Sequence, residues 1–306
     1  MVSGIEAVKM AARFLYWIES NFVNFDLAQQ FPQALCERLF QAVLVHDDLY
    51  PDARLPDDFH LNYASSQLAQ CYGLCQQMWQ QGSDPDTIRQ IVSEITETGT
   101  LDRNGKRAFK YIRARYKHLR FAYHTYSQTH QYPTVFHLMT KLMGSIQDAL
   151  NNSHHTVLNS YLLAVRLFLS RPVYALIFRD VANFKVCSTD SFQQYVFKGM
   201  DFLRHHLMRD GITRKDFHEM RKVISRLVAH YDNLKILYPS AYHEQVSQFL
   251  STINGMMGKA HDVMTVVKLT DKKAYYHAPI ELDAQIRWRL EDLVRVCDRY
   301  RASLNE

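Results

Sequence analysis

Apolar residues return at steps of three and four along most of this chain, the period of an amphipathic helix. The stretch AFKYIRARYKHLRFAYHTYS shows it best. Phe109, Ile112, Tyr116, Leu119 and Tyr123 fall on one face, and no Gly or Pro interrupts the run. FPQALCERLFQAVLV, YASSQLAQCYGLCQQMW and YVFKGMDFLRHHLMRDGITRKDFHEMRKVISRL repeat the pattern, the last as two helical segments. No stretch alternates as a half-buried strand would, and only ten Gly and eight Pro punctuate 306 residues. The chain therefore reads as all-α. Its opening, MVSGIEAVKMAARFLYWIES, carries Glu6, Lys9 and Arg13 among its apolar residues, so it reads as an amphipathic helix and not as a secretory leader. The longest apolar run, SYLLAVRLFLSRPVYALIF, is broken by Arg166, Arg171 and Pro172, short of the roughly 20 clean residues of a membrane span. A soluble, cytoplasmic protein is expected.

Charge divides this helical chain in two. Residues 1–104 hold 6 Lys or Arg against 14 Asp or Glu, and the remainder holds 30 against 17. The sign changes at TGTLDRNGK, a turn-like sequence, which suits a boundary between an acidic helical N-terminal segment, 1–104, and a basic helical domain, 105–306. From Arg103 to Gln147 there are nine Lys or Arg and no Asp or Glu. At 100° per residue, Lys106, Lys110, Arg113, Lys117 and Arg120 fall within an arc of about 80°, forming one stripe opposite the aromatic face. A solvated helix face ordinarily relieves such a row with carboxylates at i+4; an unrelieved row points to an anionic partner. Two further basic faces follow. Lys198, His205 and Arg209 share one; Arg214, His218 and Arg221 share the other, with Lys222 and Arg226 alongside.

The basic half also repeats itself. FKYIRARYKHLR from Phe109 and FHEMRKVISRLV from Phe217 begin alike, and each leads through an apolar helix to a Met-Gly ending with Asp four residues later. Gly144 lies 31 residues after Arg113 and Gly258 lies 37 after Arg221, so the copies span about 105–185 and 186–306.

These features together resemble the CHAD family, the conserved histidine α-helical domain. The family repeats a basic helix of the form His, two residues, Arg, then a cluster of bases, and follows each with a helix ending in a Gly and Asp signature. His218, Arg221, Lys222, Arg226, Gly258 and Asp262 match in the second copy, while Val223, Ser225 and Val228 stand where bases are usual. In the first copy Arg113, Lys117, His118, Arg120, Gly144 and Asp148 match, and Lys110 replaces the histidine. Ser170, Arg171 and Pro172 reorder the family's Ser-Pro-Arg break. The resemblance implies two helical bundles related by an approximate twofold, with the N-terminal segment added. It implies a basic groove that binds inorganic polyphosphate without catalysis or cofactor, association with polyphosphate granules, and a partner enzyme. Lys and Arg would supply the donors, since interior helix N–H groups are already bonded. His118 and His218 would strengthen binding by charging as pH falls.

Other readings stay open. Tyr111, Tyr116 and Tyr123 among the bases could stack the bases of a nucleic acid. DDLYPD at 47–52 resembles an aspartate-rich magnesium site of a diphosphate enzyme, although Pro51 favours a loop there. His46-Asp47 and His261-Asp262 could belong to a metal-dependent phosphohydrolase. The acidic segment could act as an interaction scaffold, packing against the basic half or contacting the groove. Cys71 and Cys75, one turn apart, read as buried thiols in a reducing compartment, as do the other three cysteines.

Overall fold

A computed structural model describes residues 30–151, 155–209, 211–270 and 279–304. The N-terminal helix expected over 1–20 lies outside them. Among the described residues eleven helices form the fold. In chain order they are α1 (Gln33–Leu44), α2 (Ser65–Gln81), α3 (Pro85–Thr98), α4 (Arg103–Tyr126), α5 (Thr134–Asn151), α6 (His155–Phe168), α7 (Arg171–Ala182), α8 (Thr189–Leu207), α9 (Arg214–Leu237), α10 (Ala241–Thr270) and α11 (Ala284–Ser303). Among the described residues the paired strands are two residues each, β1 (Ile212–Thr213) and β2 (Pro279–Ile280), antiparallel with Ile212 opposite Ile280. The protein is all-α.

The turn at the change of charge is built from two local devices. Gly99 ends α3 in the left-handed conformation (φ 73°), and Asp102 caps α4 by accepting the Gly105 N–H at 2.6 Å. α9 begins with a reciprocal cap: Thr213 Oγ1 accepts the Asp216 N–H, and the Asp216 carboxylate accepts the Thr213 N–H. The break at Ser170-Arg171-Pro172 ends α6 and starts α7, and the two helices bend by 73°. No single helix among the described residues is long and apolar enough to cross a membrane.

The turn at 99–104 is a boundary in charge but not in the core. Phe109, Ile112, Tyr116 and Leu119 of α4 are almost wholly buried, and α2 of the acidic segment packs extensively against this helix. Trp79 of α2 stands edge-on to Tyr116 and to Phe136 of α5, each at 5.6 Å, while Tyr116 and Phe136 stack at 5.2 Å. α1 also packs on both α4 and α9, so a single connected hydrophobic core runs from Cys36 to Cys297. Each large side chain buried there contributes about 1.5–3 kcal/mol. The segment's helices thus complete the scaffold that holds α4 and α9. All five cysteines are buried and free, and burial pushes the Cys71 thiol up to about 12.

Within this core a polar hub joins α2, α4 and α9. Asn233, fully buried, accepts at Oδ1 from His118 Nε2 (2.9 Å) and from the Cys75 thiol (3.2 Å). Its Nδ2 donates to the Tyr126 hydroxyl (3.0 Å), which in turn meets His230 Nδ1 at 2.9 Å.

Candidate anion groove between α4 and α9

The two basic helices cross against each other, and their charged faces converge. Arg113, Lys117 and Arg120 of α4 meet Arg221 and Arg226 of α9: Lys117 feels the charge of Arg113, Arg221 and Arg120, and Arg120 that of Arg113 and Arg226. Lys117 occupies the centre. Burial first, then Arg113, Arg221 and Arg120, pushes its ammonium from an ordinary value of 10.5 down to about 7. Arg120 is lowered too, by burial and by Arg113 and Arg226. Among the described residues Arg113, Lys117, Arg120 and Arg226 form no ion pair closer than 4 Å, and the Nε–H groups of Arg113, Arg120 and Arg226 are buried without a hydrogen-bond partner. Among the described residues three carboxylates stand beside the cluster: Asp148 near Arg113, Asp47 near Lys117, and Glu219 at 2.7 Å from Lys222.

The two glycines of the repeat seat the two central arginines. Arg113 lies across α5 so closely that a Cβ at Gly144 would come within 3.2 Å of its Nη2, while Arg113 Nη1 donates to Gln147 Oε1 at 3.3 Å. Arg221 lies across α10 in the same manner, 3.0 Å from where a Gly258 Cβ would stand. A side chain at either position would crowd the guanidinium and make it shift by at least a few tenths of an ångström. The side chain of Asp262 lies outside the described residues.

Several groove residues carry no obvious mark in the sequence of the stripe. His137 and Lys141 of α5 line one wall: His137 stacks on Tyr132 at 4.6 Å and is lowered to about 4 by burial, Arg120, Lys141 and Lys222. Their spacing to Gly144 and Asp148, four, three and four, was the available signal. His46 lies beneath Lys117, bonded to the Val43 carbonyl and lowered to about 4 by burial and by Lys117. His124, beside Arg226 and Tyr195, is held near 3 by burial and Arg226. His218 faces His261 with rings 5.1 Å apart and is lowered to about 4 by burial, Lys222 and His261.

Of the residues expected from the sequence, Arg113, Lys117, Arg120, His218, Arg221, Lys222 and Arg226 come together here. Arg214 stands one turn before His218 on the same face. Lys106 and Lys110 are exposed and extend the stripe outward, lining a 450 Å³ hollow with Arg107 and Gln147. Three expectations are corrected. His118 is 5% exposed and bonded to Asn233, so it belongs to the core and burial holds it near 4. His205 and Arg209 do not line the groove: two turns along α8 carry His205 about 10 Å past Lys198, and Arg209 lies beyond the end of the helix. There Arg209 sits 3.7 Å from Asp216, and His205 stands exposed beside His206. Lys198 itself reaches only the edge, near Arg226.

The other readings find different geometry. DDLYPD is a loop held by α10, where Ser251 donates to the Asp48 carbonyl at 3.0 Å and the Tyr50 N–H donates to Thr252 Oγ1 at 2.9 Å. No three His, Cys, Asp or Glu groups among the described residues stand where they could hold a metal ion. Tyr116 is fully buried against Trp79, which removes it from any stacking surface. Comparison with family models, curated proteins and solved structures finds no match to this chain.

Proposed function

We propose that this groove binds inorganic polyphosphate, or a polyanion like it, without catalysis, and that the chain is a divergent CHAD protein with two related halves. The observation that carries the reading is the convergence of Arg113, Lys117, Arg120, Arg221 and Arg226, with three buried guanidinium donors awaiting acceptors. A phosphate polymer offers closely spaced oxygens and no base edges, so a row of cations suffices to hold it. The matching seats of Arg113 on Gly144 and Arg221 on Gly258 support the two-copy reading. Val223, Ser225 and Val228, where the family usually carries bases, are buried here and add nothing to the groove. Granule association and a partner enzyme follow only from the resemblance.

A titration with polyphosphates of defined length at two salt concentrations tests the reading. Affinity is expected to rise with length until the groove is filled and to fall steeply with salt, with a log–log slope on the order of −3 for five cations partly neutralised. Equal displacement by single-stranded nucleic acid at the same phosphate concentration, or affinity indifferent to salt, would sink it.

The pH dependence is expected to follow Lys117 and not the histidines. Its amine is charged below about pH 7 and neutral above, so affinity should fall as pH rises from 6 to 8. Bound phosphates raise its pKa, so binding takes up a proton in that window. His218, lowered to about 4, stays neutral throughout. In Lys117→Arg the slope should flatten, and a slope that persists there assigns the proton elsewhere. Stability of the free protein has the opposite sign. Between pH 7 and 10.5 the unfolded chain binds the proton that the folded chain refuses, so stability from this group is lost as pH falls from 10.5 to 7.

A further inference from the structure

Beside the groove, α8 and α9 part around a cavity of about 280 Å³. Its walls are mostly apolar, formed by Val196, Met200, Phe202, Val223 and Leu227 with the Tyr195 ring. Gly199 lies in its lining, where α8 comes close to α9: a Cβ there would stand 3.1 Å from Val223 Cγ1, so a larger side chain would take up space between the helices. A void of roughly 150 Å³ in a protein core accepts benzene, so this one has room for a bicyclic ring or a chain of about eight carbons.

The mouth differs in chemistry from the walls. Lys198, Glu219 and Arg226 surround it. Glu219 is engaged by Lys222 at 2.7 Å, which leaves the rim positive. Arg226 lies over the Tyr195 ring at 5.8 Å, its Nη1 is 3.4 Å from His124 Nε2, and its Nε–H is buried without an acceptor. Lys198, also in the lining, is exposed. An apolar hollow with two cations at its entrance is complementary to a molecule that is apolar at one end and anionic at the other.

We propose that this cavity is a second binding site, for an organic phosphate or sulfonate whose apolar body lies between α8 and α9 and whose anionic head engages Arg226 and Lys198. The site stands on its own walls and does not require polyphosphate to be the ligand of the groove. Because Arg226 belongs to both, an occupant of the cavity and a polyanion in the groove compete for one guanidinium, and each weakens the other's hold.

The test uses the full chain and the fluorescent sulfonate 8-anilinonaphthalene-1-sulfonate, displaced by octyl phosphate, octanol or inorganic phosphate. Saturable binding at one site is expected, with octyl phosphate displacing the probe at least about tenfold more effectively than octanol and inorganic phosphate not displacing it. Gly199→Leu fills the cavity and should weaken the probe by about tenfold or more with an unchanged circular dichroism spectrum. Lys198→Glu, at an exposed position that leaves the core untouched, should weaken octyl phosphate and spare octanol, and this variant decides the matter if Gly199→Leu fails to fold. Octanol equal to octyl phosphate, displacement by inorganic phosphate alone, or wild-type octyl phosphate affinity in Lys198→Glu would overturn the assignment.

Discussion

Replacing Arg113, Lys117 and Arg120 together with Ala is expected to abolish polyphosphate retention while leaving the helical content intact. Hydrogen bonds to charged groups contribute about 1.5–3 kcal/mol each. Three lost together at the lower figure amount to roughly a thousandfold in affinity. The helix should survive because its buried face, Phe109, Ile112, Tyr116 and Leu119, is untouched. The free protein should even gain stability, since Arg113 and Arg120 press on Lys117 with nothing bound to separate them. Binding measured beside a thermal melt reads both effects. A triple variant that binds as wild type, or one that melts earlier, contradicts this account of the groove.

Asn233→Ala is expected to cost about 3 kcal/mol of folding stability, read from the midpoint of denaturant unfolding. One amide joins three helices, and its removal leaves His118 Nε2 and the Cys75 thiol without the partner they now have, and the Tyr126 hydroxyl with His230 alone. Buried groups stripped in this way incur the full penalty of lost hydration. Asn233→Asp distinguishes the network from simple volume: the carboxylate can still accept from His118, so stabilisation of the charged imidazole should raise that histidine above its present value near 4. A variant at position 233 that unfolds like wild type would show that the hub is dispensable.

The stripe on α4 was legible because a helix converts spacing into direction, and steps of four, three, four and three leave no other face for those five bases. What the spacing could not supply was the partner. Gly144 and Gly258 were visible as the ends of a repeat, yet their use as seats for Arg113 and Arg221 depends on a contact 31 and 37 residues away. His118 adjoins Lys117 in sequence but lies one step round the helix, on the side facing Asn233, so its neighbours in the chain misrepresent its surroundings. His205 shares a helix face with Lys198, but a shared face says nothing of distance along the axis, and the helix ends before Arg209. His46 and Asp47 reach Lys117 from a loop that no local pattern places there.

The burial of Trp79 against Tyr116 and Phe136 bears on where this chain can be divided. A cut at residue 104 would follow the change of charge, yet it would strip α4 of the ring that covers its central tyrosine and expose a row of aromatic side chains to water. The basic half would then be an adhesive fragment. The anion groove is inherited and expressed only together with the acidic helices beneath it, whatever the bookkeeping of charge invites.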